Sequence, residues 1–198
     1  MFPMYESLHF HIPAAKVNDI AEWILLSDEA YMQSEINKRG VTTAIKYQGK
    51  VGFHRINEVP KERGMATPYY GTFGGVYNFI FNVEEDDTLL RIRHSLGNQF
   101  KLKPYEITLG SQIQFESHTE ASNHWFSNRL ETIIEERQHD YRFFIDGEIY
   151  TNLLATGWQK EQAHEYQYKF IPTTVGCRII IRHIASAEIF DLTENIEW

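Results

Sequence analysis

Two stretches of this chain read almost alike, and their spacing constrains the architecture more than any local pattern does. Residues 77–94 read YNFIFNVEEDDTLLRIRH, and residues 166–183 read YQYKFIPTTVGCRIIIRH. The stretches align without a gap and share five identities in eighteen positions, namely Tyr77/Tyr166, Phe81/Phe170, Ile92/Ile181, Arg93/Arg182 and His94/His183. Because an internal repeat is the signature of a duplicated structural unit, this pattern predicts a chain built from two similar halves.

The order of predicted elements in the first part of the chain fits such a half. Alternating polar and apolar side chains predict a strand over 5–12, and helical spacing of apolar residues predicts helix over 13–39. The region 13–39 is compatible with one bent helix or with two. Two hairpins are then predicted, over 41–56 and over 76–94 with an acidic turn at 84–87.

The second part of the chain predicts the same order again. A strand is predicted over 105–115, and a helix is predicted to begin after Ser117, where Glu120 completes a capping box. A hairpin over 141–152 is predicted from the Asp146-Gly147 turn signal. A second hairpin and a short last strand are predicted over 166–184 and 187–192.

From this order we predict an α+β fold, in which the chain is an internally duplicated pseudo-dimer. Each half, 1–100 and 101–198, would have the order strand–helix–hairpin–hairpin with an antiparallel sheet. The connecting stretch 96–105 is short, so the halves are expected to pack tightly as one globular unit.

Composition limits the classes of function. The chain is 42% hydrophobic and 14% aromatic, so it can bury a core, and its net charge is −8. A uniformly basic surface for nucleic-acid phosphates is therefore not expected. The single cysteine forms no internal disulfide, and the sequence shows neither a signal peptide nor a membrane span. We therefore expect a cytoplasmic protein.

Repeat-equivalent arginines and histidines are the first candidate ligand-binding groups. Arg93 and Arg182 lie on predicted strands, as do His94 and His183. Cations gathered on one sheet face would suit a phosphate or carboxylate ligand. The alternative is that the arginines pair with carboxylates across strands and that the histidines are core residues kept by duplication.

An aromatic, glycine-rich stretch is the second candidate. The irregular segment 57–75 contains Tyr69, Tyr70 and Phe73. Long irregular loops are often lids or contact surfaces, and these rings could close over a ligand or meet a partner.

The first strand offers a candidate divalent metal site. His9 and His11 are two residues apart, so both imidazoles would project from one face of a strand. Glu116 and His118 have the same spacing in the second half, and the four side chains would converge if the halves met through these strands. The alternative is that His9 and His11 lie on the solvated face of an amphipathic strand.

Two classes of function remain. The first is a non-enzymatic binding module that engages a small anionic ligand or a protein partner through the cleft between the halves and the 57–75 loop. The second is a metal-dependent enzyme with a histidine-rich site between the halves. The order of elements resembles two pseudo-dimeric architectures, the paired-module metal enzymes of the glyoxalase type and the double hotdog. That resemblance concerns the fold and assigns no residues.

Overall fold

A computed structural model describes residues 5–39, 43–47, 50–54, 77–110, 113–118, 139–173 and 176–193. Its strands are β1 Tyr5–Ile12, β2 Thr43–Tyr47, β3 Lys50–His54, β4 Tyr77–Val83, β5 Thr88–His94, β6 Tyr105–Thr108, β7 Ile113–His118, β8 Tyr141–Ile145, β9 Tyr166–Pro172, β10 Cys177–His183 and β11 Ile189–Asp191. The helices are α1 Ala14–Arg39 and α2 Gly147–Ala155, with short 3₁₀ helices at Gly97–Phe100 and Lys160–Glu165.

The described strands form three antiparallel sheets. The large sheet has the order β11-β10-β9-β4-β5-β6, the small sheet has the order β7-β1-β8, and β2 pairs with β3 alone. Both the large and the small sheet contain strands from before and after residue 100, so the two predicted halves share them. The prediction of a mixed α+β fold with antiparallel sheets is confirmed.

The two hairpins of the large sheet correspond to the repeated sequence stretches. Tyr77 lies opposite His94 in the β4–β5 hairpin, and Tyr166 lies opposite His183 in the β9–β10 hairpin. The hairpins join through β4 and β9, where Ile80 lies opposite Lys169. The repeat alignment equates these same two positions.

The core lies between the large and the small sheet and is dominated by aromatic rings. Phe10 of β1 packs against Phe81 and Phe170, with ring centroids 4.8 and 5.3 Å apart. Phe143 of β8 lies 4.8 Å from the Phe170 ring. All four phenylalanines are 0% exposed. Because successive side chains point to opposite faces of a strand, one face of each sheet contributes its side chains to a shared core.

Helix α1 is one continuous helix, which settles the alternative left open by the sequence. Val17, Ile20 and Ile24 are buried on one stripe, as their spacing predicts. Ser27 resembles the cap of a second helix in sequence, but its hydroxyl donates to the carbonyl of Trp23 at 2.6 Å, one turn earlier. Such a bond lets a serine lie within a helix.

The predicted hairpin over 141–152 is wrong. Residues 141–145 form β8, but Gly147 begins α2 instead of the second strand of a hairpin. Ile149, Tyr150 and Leu153 are the buried residues of α2, and this is a helical spacing. Packing of these side chains outweighed the turn signal. The second half thus departs from the element order of the first, and duplication of the whole unit stays an inference.

The prediction of a single strand over 105–115 is also wrong, because this stretch contributes to two strands in different sheets. β6 lies at the edge of the large sheet, whereas β7 lies at the edge of the small sheet. Gly110 lies between them with φ +74°, and its N–H donates to the Asp87 carboxylate at 2.8 Å. A left-handed glycine redirects the chain here, which alternation of side chains does not reveal.

Neither described helix combines the length and the apolar character that a bilayer-spanning segment requires.

Candidate anion-binding cleft

The outer face of the large sheet, which points away from the aromatic core, carries the cations of the repeated strands. Arg91 and Arg93 of β5, Lys169 of β9, and Arg178 and Arg182 of β10 all belong to this face, because their strand neighbours point inward. Five cations therefore share one sheet face in a chain whose net charge is −8.

Two of these arginines are neutralised by carboxylates from the edge strands. Arg91 Nε lies 2.6 Å from Glu106 Oε1 of β6. Arg178 Nε lies 2.6 Å from Asp191 Oδ2 of β11, and that contact is a hydrogen bond. The cross-strand pairing considered for the sequence thus accounts for Arg91 and Arg178.

The other cations of this face have no such partner. Within the described ranges, Arg93, Lys169 and Arg182 form no ion pair with a carboxylate. Arg93 and Arg182 are exposed, and Lys169 is half-buried. Positive charge therefore remains uncompensated along the middle of the sheet.

A cleft of about 290 Å³ opens on this face where the two hairpins meet. It is lined by Asn78, Ile80, Arg93, His94, Ser95, Asn98 and Lys169. Two cations, two amides and a hydroxyl thus surround a space large enough for a small ligand. Every lining residue except Lys169 comes from the first half of the chain.

The wall of the cleft is built by the turn after β5. The imidazole of His94 accepts the N–H of Leu96 at Nδ1 over 3.1 Å. The 3₁₀ helix Gly97–Phe100 follows, and the Leu102 N–H closes it onto the Gly97 carbonyl at 2.9 Å. Ordinary chain geometry thereby places Ser95 and Asn98 beside the exposed guanidinium of Arg93.

His94 contributes shape to the cleft and no positive charge at neutral pH. Its ring stacks on Tyr31 at 5.3 Å and meets Tyr77 edge-on at 5.1 Å. Burial lowers the pKa of His94 to about 4. The positive charge of the cleft therefore comes from Arg93 and Lys169.

A buried acid lies behind His94. Asp28 of α1 is 6% exposed, and its carboxylate accepts the hydroxyl proton of Tyr77 over 2.5 Å. The same hydroxyl lies 3.1 Å from the carbonyl of Ile24. Burial raises the pKa of Asp28 to about 7, although the hydrogen bond from Tyr77 acts in the opposite direction.

The structure does not bring the repeat-equivalent residues together. Arg93 and Arg182 are separated by three strand spacings and four residues along the strands, which is about 20 Å. His94 and His183 lie at opposite corners, about 25 Å apart by the same geometry. The two imidazoles therefore do not face each other across a shared cleft, because the antiparallel pairing of β4 with β9 places the ends of the two hairpins at opposite corners of the sheet.

The surroundings of His183 differ from those of His94. His183 Nδ1 lies 2.9 Å from the Ser186 hydroxyl, and Nε2 lies 3.4 Å from Glu165. Its ring meets Tyr166 edge-on at 5.0 Å, as His94 meets Tyr77. His183 is half-buried at the turn after β10 and is no part of the cleft.

The structure brings only some of the side chains of the predicted metal site close together. β1 pairs with β7, and Ser7 lies opposite Glu116. His9 Nδ1 lies 3.7 Å from Glu116 Oε1, whereas His11 Nε2 lies 3.0 Å from Asp140. The imidazoles of His9 and His11 therefore contact different carboxylates. His9 is 3% exposed, so its side of the strand is not the solvated face that the alternative predicted.

No group of three histidine, cysteine, aspartate or glutamate side chains within the described residues could hold a metal ion. His118 lies opposite Tyr5 at the end of β7, and its side chain lies outside the described part of the chain. The four-ligand site therefore stays a prediction.

Ser7, His9 and Glu116 form a chain of polar contacts that sequence reasoning missed. The Ser7 hydroxyl lies 2.6 Å from His9 Nε2, and the opposite nitrogen of that ring faces Glu116. The order hydroxyl, imidazole, carboxylate is that of serine hydrolases. Ser7 is 1% exposed, however, and lies within a paired strand. A substrate carbonyl has no approach to it, so we interpret the Ser7–His9 hydrogen bond as a pairing of two buried polar side chains.

The other sequence-predicted residues lie elsewhere. Tyr69, Tyr70 and Phe73, with the 57–75 segment, fall outside the described residues. Lys169, Asn78, Ser95 and Asn98 were not predicted as site residues. The signal for Lys169 was available, because Tyr168 and Phe170 point inward and so direct Lys169 outward. No local pattern reveals that Lys169 and Arg93 line the same cleft.

Comparisons of this chain with protein-family models, with curated proteins and with solved structures gave no match in any of the three.

Proposed function

We propose that this protein is a binding module whose cleft between the β4–β5 and β9–β10 hairpins takes a small anionic ligand. The ligand would carry a phosphate or carboxylate group. The observation that supports this most directly is that Arg93 and Lys169, from different halves of the chain, both line a polar cleft that no carboxylate of the described residues lines.

The chemistry of the lining fits an oxyanion. A guanidinium offers several N–H donors in a fixed plane, and an ammonium adds a compact charge. The amides of Asn78 and Asn98 and the Ser95 hydroxyl add neutral donors. Since the histidine of the cleft is uncharged at neutral pH, Arg93 and Lys169 would dominate the affinity.

A duplicated origin of the two hairpins is a further part of this proposal. The equal registers of the hairpins and the pairing of Ile80 with Lys169 support it. Duplication would place a dyad through the middle of the large sheet and make the cleft an asymmetric site beside it. Lys169 replaces the isoleucine of the first hairpin there, which supplies the second cation.

Titration calorimetry with inorganic phosphate and with pyrophosphate tests the binding function. We expect saturable binding to the wild-type protein and a roughly tenfold or greater loss of affinity for Arg93→Ala and for Lys169→Met, because each removes a charge-assisted contact. Lys169→Met retains the apolar part of the side chain.

Arg178→Ala is the matched control. Arg178 lies on the same sheet face but is paired with Asp191 and does not line the cleft. Its substitution is expected to leave the affinity for phosphate within about twofold. Affinities that fall equally in all three variants would indicate unspecific attraction to the sheet, and a wild-type protein that binds neither anion would refute the cleft as an anion site.

A further inference from the structure

Three cations that form no ion pair with a carboxylate of the described residues lie in a line across the outer face of the large sheet. Arg93 lies on β5 opposite Asn78, Lys169 lies on β9 opposite Ile80, and Arg182 lies on β10 opposite Gln167. From strand spacing and rise, Arg93 is about 12 Å from Lys169, and Lys169 is about 8 Å from Arg182. We call these three residues the cationic diagonal.

The described carboxylates that pair with arginines of this face lie to either side of the cationic diagonal. Glu106 and Asp191 belong to the two edge strands, where they pair with Arg91 and Arg178. A ligand that lies along the diagonal would therefore meet three uncompensated positive charges in sequence. The cleft described above forms the Arg93 end of this line.

The side chains beside the cations are amides and isoleucines, and the isoleucines are Ile80 and Ile180. Asn78, Asn82 and Gln167 occupy outward positions of the two central strands, and Gln167 Nε2 donates to Asn82 Oδ1 at 2.7 Å. An amide both donates and accepts, so it can bond either the N–H or the carbonyl of a polypeptide backbone. A phosphodiester backbone offers acceptors only.

No aromatic side chain occupies an outward position of β4, β5, β9 or β10 among the described residues. Single-stranded nucleic acids are held largely by stacking of bases on such rings. The net charge of −8 would also repel a long polyanion outside this face. Both observations favour a short acidic polypeptide segment over a nucleic acid.

We propose that the cationic diagonal binds an extended acidic segment of a protein partner, and this proposal rests on the anion-binding function of the cleft. Side chains on one face of an extended peptide recur about every 6.6 Å. Acidic residues at positions i, i+4 and i+6 would therefore lie about 13 and 7 Å apart, close to the spacing of Arg93, Lys169 and Arg182.

Fluorescence anisotropy with labelled synthetic peptides tests the assignment. One peptide carries glutamate at i, i+4 and i+6 on an otherwise neutral, soluble background. The matched peptide has the same composition but moves two glutamates to odd spacings, so that they face away from the sheet. We expect the first peptide to bind more tightly by about fivefold or more, because only it meets all three cations.

The variants distinguish the diagonal from the cleft alone. We expect Arg93→Ala and Arg182→Ala each to weaken peptide binding, whereas Arg178→Ala serves as the control with its charge already paired. Inorganic phosphate is measured in parallel, and only Arg93→Ala should weaken its binding. A peptide affinity unchanged in Arg182→Ala, with phosphate binding intact, would overturn the diagonal but leave the cleft.

An oligonucleotide of equal charge completes the experiment. Tighter binding of single-stranded DNA than of the patterned peptide would overturn the assignment to an acidic polypeptide. Failure of both phosphate and peptide to bind the wild-type protein would overturn the cleft and the diagonal together.

Discussion

The hairpins β4–β5 and β9–β10 have the same register but different surroundings. In each hairpin a tyrosine at the start faces a histidine at the end, edge-on and about 5 Å away. Helix α1 covers the first pair, so that His94 is 6% exposed and Tyr77 reaches Asp28. The second pair lies at the turn after β10, where His183 is half-buried beside Glu165. The register of each hairpin thus follows from strand pairing, whereas the burial and the hydrogen-bond partners of its tyrosine and histidine depend on the elements that pack against them.

The largest expected effect concerns the positions at which the hairpins are most alike. Phe81 and Phe170 are repeat-equivalent, fully buried and in contact with Phe10. We expect Phe81→Ala and Phe170→Ala each to lower the free energy of unfolding by about 3–5 kcal/mol, through lost burial and cavity formation. Urea denaturation followed by circular dichroism measures both losses. If one substitution were nearly neutral, the common core environment would be refuted.

Removal of a tyrosine hydroxyl is expected to have a smaller effect on stability, and the effect should differ between Tyr77 and Tyr166. Tyr77→Phe removes the hydroxyl that donates to Asp28, which leaves a buried carboxyl without that donor. We expect it to lower the free energy of unfolding by about 1–3 kcal/mol. Tyr166→Phe is the matched control and should change stability by less than about 0.5 kcal/mol, because no hydrogen bond of its hydroxyl is found within the described part of the chain. Equal losses of stability in the two variants would contradict the difference in surroundings between Tyr77 and Tyr166.

The smallest net effect concerns pH, because two groups near the first hairpin act in opposite directions. Burial raises the pKa of Asp28 from 3.8 to about 7, so its contribution to stability is present at acid pH and is lost as pH rises through about 7. Burial lowers the pKa of His94 from 6.5 to about 4, so its contribution is present above pH 6.5 and is lost as pH falls through about 4. Between these limits the two slopes partly cancel.

The substitution Asp28→Asn removes the decrease of stability with rising pH that the titration of Asp28 causes. We expect the free energy of unfolding of this variant to rise more steeply than that of the wild-type protein from pH 4 to 7, since the opposing titration of His94 remains. His94→Asn should have the reverse effect and serves as the complementary control. Urea denaturation at a series of pH values measures both slopes, and parallel curves for Asp28→Asn and wild type would contradict the raised pKa.

Much of the large sheet followed from the sequence alone. The strands of both repeated hairpins and the acidic turn 84–87 were predicted, because alternation and nearby turns are local properties. The outward direction of Arg93 and Arg182 followed from the same alternation. The sequence therefore offered a basic sheet face as one interpretation, with cross-strand pairing of the arginines as the alternative, and it did not predict which residues line the cleft.

Only the tertiary structure decided which of these residues meet. Lys169 lines the same cleft as Arg93 because β4 pairs with β9, across about ninety residues of chain, and no local pattern encodes that pairing. Gly147 begins a helix because its apolar neighbours pack on one helical face. His9 is buried although its strand alternates like a half-exposed one. Local patterns determine which way a side chain points on its own element, whereas long-range packing determines what lies in front of it.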